Sequence, residues 1–251
     1  MVQSQTWENY SLKIPQGVHK NENFAIMPEQ NLLSASEKVV IEVMNYDPPN
    51  PKTYALKHGN SLEPHAKRKY MTVSKKKHKK LQSKDSGFVI DETMPYIGVS
   101  PDLEISCECC GEGLVEIKCP FSIQGEIPTS TNLTYLECEN NDTFLKKNTA
   151  YYFQIQGQMG VTKRQYCDFF VYTTAGFHIE RILFDNDLWL QMRSRFQWFW
   201  SKVLCRELLQ QNIKASMLNK PSTTQNKKRS CIQTATEKNK RKKDTPKAKS
   251  D

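Results

Sequence analysis

Glu116 and Lys118 stand one residue apart in the stretch GEGLVEIKCPFS, residues 111–122, whose other members suit a buried strand. Burying either charge costs several kcal/mol, roughly, unless it is paired or bound. In a strand, alternate side chains share a face, so Glu116 and Lys118 project together while Val115 and Ile117 point the other way. The upstream CECCGEG supplies turn chemistry, with Gly111 and Gly113 free to adopt positive φ. A hairpin closed there brings Asp102, on the preceding strand, alongside Glu116 on the same face. Two carboxylates that close repel, and one pKa rises unless a divalent cation sits between them. Oxygen-only ligation by Asp102, Glu116 and the backbone carbonyl of Ile117 suits Mg²⁺ or Mn²⁺ rather than zinc. Lys118, aimed at the same spot, can help deprotonate an attacking water or stabilise negative charge on a phosphorane-like transition state. Glu63 offers a further carboxylate from a helix packed on the sheet. Gln154, on a following helix, can donate and accept without adding charge. These are the parts of a phosphodiesterase. Glu-x-Lys alone is more often a solvated strand face; the joint order of helix Glu, hairpin Asp, strand Glu-x-Lys and helix Gln favours catalysis.

The elements that must position these residues follow from patterning. Residues 1–40 are polar and weakly patterned, a poorly ordered arm. Ser34 or Ser36 can cap a short helix running to about Met44, ended by the cluster Pro48, Pro49 and Pro51. Helical spacing through Leu56, Ala66 and Tyr70 follows, interrupted by Pro64. The period then turns extended: two strands separated by Pro95, the second from about Tyr96 through a kink at Pro101 to Ser106, then the Glu-x-Lys strand. Asn148 or Thr149 caps a helix over AYYFQIQGQMGVT, a hairpin spans YCDFFVYT and FHIERILF, and Asp185 or Asp187 caps a long amphipathic helix. This order indicates an α+β fold, a central sheet flanked by helices, over residues 41–211. Residues 212–251 form a basic tail too polar to offset the entropy of ordering.

The formal net charge of +9 is concentrated there: from Lys214 onward, twelve basic residues face three acids, and the remaining body is neutral. Lys227, Lys228 and Arg229, with Lys240, Arg241, Lys242 and Lys243, resemble the two clusters of a bipartite nuclear import signal; a nuclear location is expected, otherwise a cytoplasmic one. Residues 67–84 form a second basic stretch, in which Lys75, Lys76, Lys77, Lys79 and Lys80 can track a DNA backbone or simply be solvated. No run of roughly 18 uncharged apolar residues is present, so no membrane span is expected and the protein reads as soluble. Eight cysteines without an export signal argue for reduced thiols. Cys107 and Cys110 have CxxC spacing, with Cys109, Cys119 and Cys138 nearby. The second pair of a zinc ribbon is missing, so free thiols are expected and a structural zinc is not. The aromatic run Phe196, Trp198, Phe199 and Trp200 reads as core or subunit interface rather than a base-stacking platform.

GVSPD (residues 98–102), the Cys-rich turn, GLVEIKCPFS (residues 113–122) and AYYFQIQGQMGVT (residues 150–162) closely resemble the YqaJ viral recombinase family. This is the lambda-exonuclease-like branch of the PD-(D/E)XK nucleases, and the match is nearest to its animal and transposon-associated members. The resemblance spans about Tyr54 to Leu190. It implies a restriction-endonuclease-like core with a mixed central sheet, and a metal-dependent DNA exonuclease working from duplex 5′ ends in recombination, repair or mobile-element biology. Ring-shaped trimers are implied as a possibility. Carried over, Asp102 and Glu116 are metal ligands, Lys118 activates water, Gln154 steadies the site, and GNSLEPHA assigns Glu63 as the further acid. The chain departs from the family at Leu103, where glycine is usual, at Pro64 beside the helix glutamate, and in lacking an arginine upstream of Arg68 to engage the DNA end. These departures favour a second expectation, a nuclease-fold protein that binds DNA or nuclear partners without cutting.

Overall fold

The computed structural model describes residues 37–48 and 53–218. Most of the expected N-terminal arm, its capping serines, and the two basic clusters of the tail lie outside these residues.

Helix α1 is described over residues 37–43 and closes through the Tyr46 N–H to the Ile41 carbonyl at 2.9 Å. Helix α2, Tyr54–Ser74, runs unbroken through Pro64. The expected interruption does not occur. Its two halves are each packed, His58 edge-on to the ring of Phe121 and Ala66 and Tyr70 fully buried under the sheet, and this packing outweighs the one lost helical bond. Glu63 is therefore mid-helix.

Nine strands occur among the described residues: β1 Gln82–Lys84, β2 Val89–Ile90, β3 Gly98–Val99, β4 Leu103–Cys107, β5 Gly111–Lys118, β6 Leu136–Glu139, β7 Asp142–Leu145, β8 Tyr166–Tyr172 and β9 Phe177–Leu183. Five of them build the central sheet in the order β1-β4-β5-β8-β9. Only β5 and β8 are parallel, with helix α3, Ala150–Thr162, in their connection. The single strand expected from Tyr96 to Ser106 is two: β3 pairs with β2 outside the main sheet, and Ser100–Asp102 separate it from β4. Pro101, with no N–H to donate, sits in that break. β1 and the β6–β7 hairpin are additional to the sequence reading. Asn140 and Asn141, at φ 52° and 68°, make the tight turn of that hairpin.

Alternation along β4 and β5 divides the core. Leu103, Ile105, Val115 and Ile117 meet Ala66 and Tyr70 of α2 on one face; Leu114 meets Tyr152, Ile155 and Met159 of α3 on the other. Thr149 caps α3 by accepting from the Tyr152 N–H, and Lys163 ends it at φ 58°. Helix α4, Asn186–Phe199, capped by Asp185, covers the outer side of α3 through Trp189 and Met192. It passes through a π-helical turn at Trp200–Leu204 into α5, Cys205–Gln210. Helix α6, Asn212–Leu218, belongs to a separate unit that begins at Gln211.

Candidate active site

The β4–β5 register pairs Leu103 with Val115, so Asp102 arrives opposite Glu116 on the α3 side of the sheet. Freed from the ladder by the break at Pro101, Asp102 meets β5 with its side chain: Oδ2 accepts from the Ile117 N–H at 2.6 Å. Glu116 is 3% exposed, on the central strand. Its Oε1 accepts from Gln154 Nε2 at 2.9 Å and lies 2.8 Å from Lys118 Nζ, while Oε2 accepts from Gln158 Nε2 at 2.8 Å. Lys118 Nζ also donates to Gln154 Oε1 at 3.2 Å and lies 4.5 Å from the centroid of the Tyr151 ring. Gln154 thus spans the acid and the lysine, one end of its amide on each.

Burial pushes the Asp102 carboxyl well above the usual carboxylate range, and the Glu116 carboxylate raises it further. Lys118 and the Ile117 N–H oppose this without cancelling it, and Glu63 adds a smaller upward push. Two facing carboxylates served by one ammonium are short of positive charge. An oxygen-ligated dication fits this donor set, with Asp102, Glu116 and the Ile117 carbonyl as the residues that would hold it.

The structure brings together Asp102, Glu116, Lys118 and Gln154. Glu63 reaches them from α2, on the opposite face, through its field rather than a hydrogen bond: its carboxylate is paired with Lys67 at 3.0 Å, and Lys67 with Asp85 at 2.8 Å. Leu103 is buried in the α2-side core, on the face away from Glu116. Lys75, Lys76, Lys77, Lys79 and Lys80 are exposed in the turn between α2 and β1, tied to the Cys-rich turn by the Glu108 N–H to the Lys79 carbonyl at 3.1 Å and by a Lys80–Glu108 ion pair. That turn precedes Gly111, and Glu116 lies five residues further along β5, about 16 Å at ~3.3 Å per residue. The lysines therefore flank the far end of the hairpin. Cys107 and Cys110 sit in that same turn, joined by Cys109 and His78. Cys119 is instead half-buried behind Lys118, its thiol pushed up to about 12 mainly by burial. Cys138 is exposed on β6. Trp200 stacks on Tyr96 with centroids 4.8 Å apart, and Phe196 packs on Trp189, so these aromatics serve packing.

Gln158 and Tyr151 were not singled out from the sequence. Gln158 stands one helical turn beyond Gln154, and that i,i+4 spacing was the available signal. Asp168 on β8 is a buried acid without a sequence signature. It accepts from Tyr70 Oη at 2.6 Å and from Arg181 Nε at 2.7 Å, fastening α2 and β9 to the sheet.

A mixed sheet whose central hairpin carries an Asp, a Glu-x-Lys pair and amide support from the crossover helix defines the PD-(D/E)XK nuclease fold. The profile of the YqaJ-like viral recombinase domain matches residues 22–165, more than half of the chain, and the protein belongs to that family. Among solved structures it is similar to the alkaline exonuclease LHK-Exo from Laribacter hongkongensis, with 22% identity and a TM-score of 0.50 over 84% of this chain and 98% of that one. The complex of LHK-Exo with dAMP gives 23% identity and a TM-score of 0.50, covering 78% and 89% of the two chains. Among curated proteins, none matches.

Proposed function

We propose that this protein is a Mg²⁺- or Mn²⁺-dependent DNA exonuclease acting from the 5′ ends of duplex DNA, in recombination, repair or mobile-element biology. The observation that carries the reading is the buried Glu116, held by Gln154, Gln158 and Lys118 and faced by Asp102. A buried acid with this many partners is expensive for a purely structural strand, and an oxygen-rich cation site gives it a purpose. When bound, the cation supplies Lewis-acid polarisation of the scissile phosphate. Lys118 would provide the fixed positive charge for oxygens that become more negative in the transition state, and as a cation it would favour loss of the attacking water's proton to solvent. Gln154 sets its distance from Glu116, and the Tyr151 ring restricts where the ammonium can go. Asp102, whose carboxyl is held above the usual range by burial, would release its proton to solvent to serve as a ligand. Binding of dAMP by LHK-Exo supports a nucleotide-sized product of DNA.

Further parts of the reading rest on the family and on charge. Lys75–Lys77, Lys79 and Lys80 contact the duplex backbone beyond the cut, the protein forms a homo-oligomer, a trimer by family resemblance, and the tail directs it to the nucleus. The second reading, DNA binding without cleavage, is favoured by one observation: the Glu116 carboxylate is already paired with Lys118 at 2.8 Å.

The two readings part in one assay. Linear 5′-phosphorylated duplex is incubated with the full chain, with Mg²⁺, Mn²⁺ or neither, beside Lys118→Ala. Metal-dependent release of nucleotides by the wild type, reduced at least about 100-fold in Lys118→Ala, is expected. DNA binding without any metal-dependent release would overturn the enzyme.

A further inference from the structure

At the other end of the β4–β5 hairpin, one imidazole nitrogen and three sulfurs converge. Ligand atoms of His78, from the turn after α2, and of Cys107, Cys109 and Cys110, from the hairpin turn, all lie within 4.8 Å of one another. His78 Nδ1 is 3.2 Å from Cys109 Sγ, 3.5 Å from Cys110 Sγ and 3.7 Å from Cys107 Sγ. Cys109 Sγ is 3.4 Å from Cys107 Sγ and 3.7 Å from Cys110 Sγ.

These are five of the six edges of a tetrahedron, the sixth, Cys107 Sγ to Cys110 Sγ, lying within 4.8 Å. With Zn–S about 2.3 Å and Zn–N about 2.0 Å, tetrahedral zinc requires S···S edges of about 3.8 Å and S···N edges of about 3.5 Å. The observed values depart from those by a few tenths of an ångström. A disulfide requires sulfurs about 2.05 Å apart, far closer than the separations within this cluster. Burial does not explain the convergence either, because Cys109 and Cys110 are exposed and only Cys107 reaches the core.

Gly111, directly after the last cysteine, takes φ 74°, a conformation that frees the chain to fold the three thiols back over one point. Arg181, whose Nε and Nη2 hold Asp168, is close enough to Cys110 for the two side chains to act on each other electrostatically. A dication with three thiolates and a neutral imidazole carries one net negative charge, and Arg181 stands where that charge falls.

We propose that His78 and the thiolates of Cys107, Cys109 and Cys110 bind one zinc ion in a closed, structural Cys₃His site. Binding releases the protons of the three thiols and joins two segments 29 residues apart. It clamps the lysine-bearing turn onto the hairpin that positions Asp102 and Glu116. The partners missing from the CxxC pair in the sequence are thus Cys109, inside the motif, and His78, far upstream. Soft sulfur and hard oxygen ligands keep this ion distinct from the cation at the active site.

The test is metal analysis of the full chain, produced with zinc in the medium, purified under reducing conditions without chelator, and dialysed. One equivalent of zinc is expected. Cys109→Ser and His78→Ala should lose it, while Cys138→Ser, Cys231→Ser and Glu116→Gln retain it. Should the ligand variants fail to fold, cobalt exchanged into the wild type gives the second reading: intense tetrahedral d–d absorption with thiolate charge transfer, abolished by one equivalent of zinc. A zinc-free wild type with an octahedral cobalt spectrum overturns the site. So does loss of zinc in Glu116→Gln with retention in His78→Ala, which would assign the ion to the carboxylates instead.

Discussion

Glu116 is a charge on a central strand, and its neighbours decide what it can do. Gln158 is a positioning residue, donating from Nε2 to Glu116 Oε2 at 2.8 Å. Gln158→Leu should leave that oxygen without its donor and weaken Mn²⁺ affinity or turnover by about 10–100-fold. A Mn²⁺ titration of activity reads this as a rightward shift, and an unchanged curve would remove Gln158 from the site. Asp102 predicts a pH dependence. Its raised pKa means that the folded chain holds a proton the unfolded chain has released. The stability this adds is complete below the ordinary aspartate range, near pH 4, and is lost as the pH rises through the raised folded value. A cation competing for the same oxygens gains what the proton loses. Thermal stabilisation by Mn²⁺ should therefore be larger at pH 8 than at pH 5, and equal shifts would mean that Asp102 does not meet the metal. At this scale the sequence was informative where chemistry is local: Glu-x-Lys on one strand face, and Asp102 opposite by hairpin register. It was silent where partners come from afar. Nothing near Cys107 announces His78, and nothing near Tyr70 announces Asp168.

Elements were legible where periodicity and caps agreed. Thr149 and α3, Asp185 and α4, and the β8–β9 hairpin all follow the pattern read from the chain. The misses have physical causes. β1 is three exposed polar residues held by backbone pairing to β4, so no hydrophobic alternation marks it. Gly113 is present for space rather than for a left-handed backbone: a Cβ there would lie 2.2 Å from the Tyr166 ring. Pro64 was read as a break, yet α2 continues because both of its halves are anchored. Its missing N–H remains a cost. Pro64→Ala should restore the bond to the carbonyl of exposed Asn60 and stabilise the fold by about 1–3 kcal/mol, seen as a higher Tm. A lower Tm would show that the proline shapes α2 in a way the core depends on.

For the whole molecule, charge and chemistry are separated along the chain. Residues 219–251 carry eleven basic residues and three acids, so the chain up to Leu218 is left at a net +1. A protein ending at Leu218 should lose most salt-sensitive, non-specific DNA affinity and show a shallower dependence of log K on log salt, while cleaving saturating DNA at the wild-type rate. An unchanged slope would return the electrostatic contact to Lys75–Lys80. No helix among the described residues is long and apolar enough to cross a membrane. Sheet order carries one more implication. Glu63, Asp102, Glu116 and Lys118 all precede residue 119, whereas the amides that hold Glu116 and the parallel strand beside it arrive only with α3 and β8. During synthesis, every charged residue of the site emerges before the site exists. A nascent chain stalled short of residue 150 would carry every charged group of the site without the amides and strand that assemble it, so the proposed activity would belong to the finished fold alone.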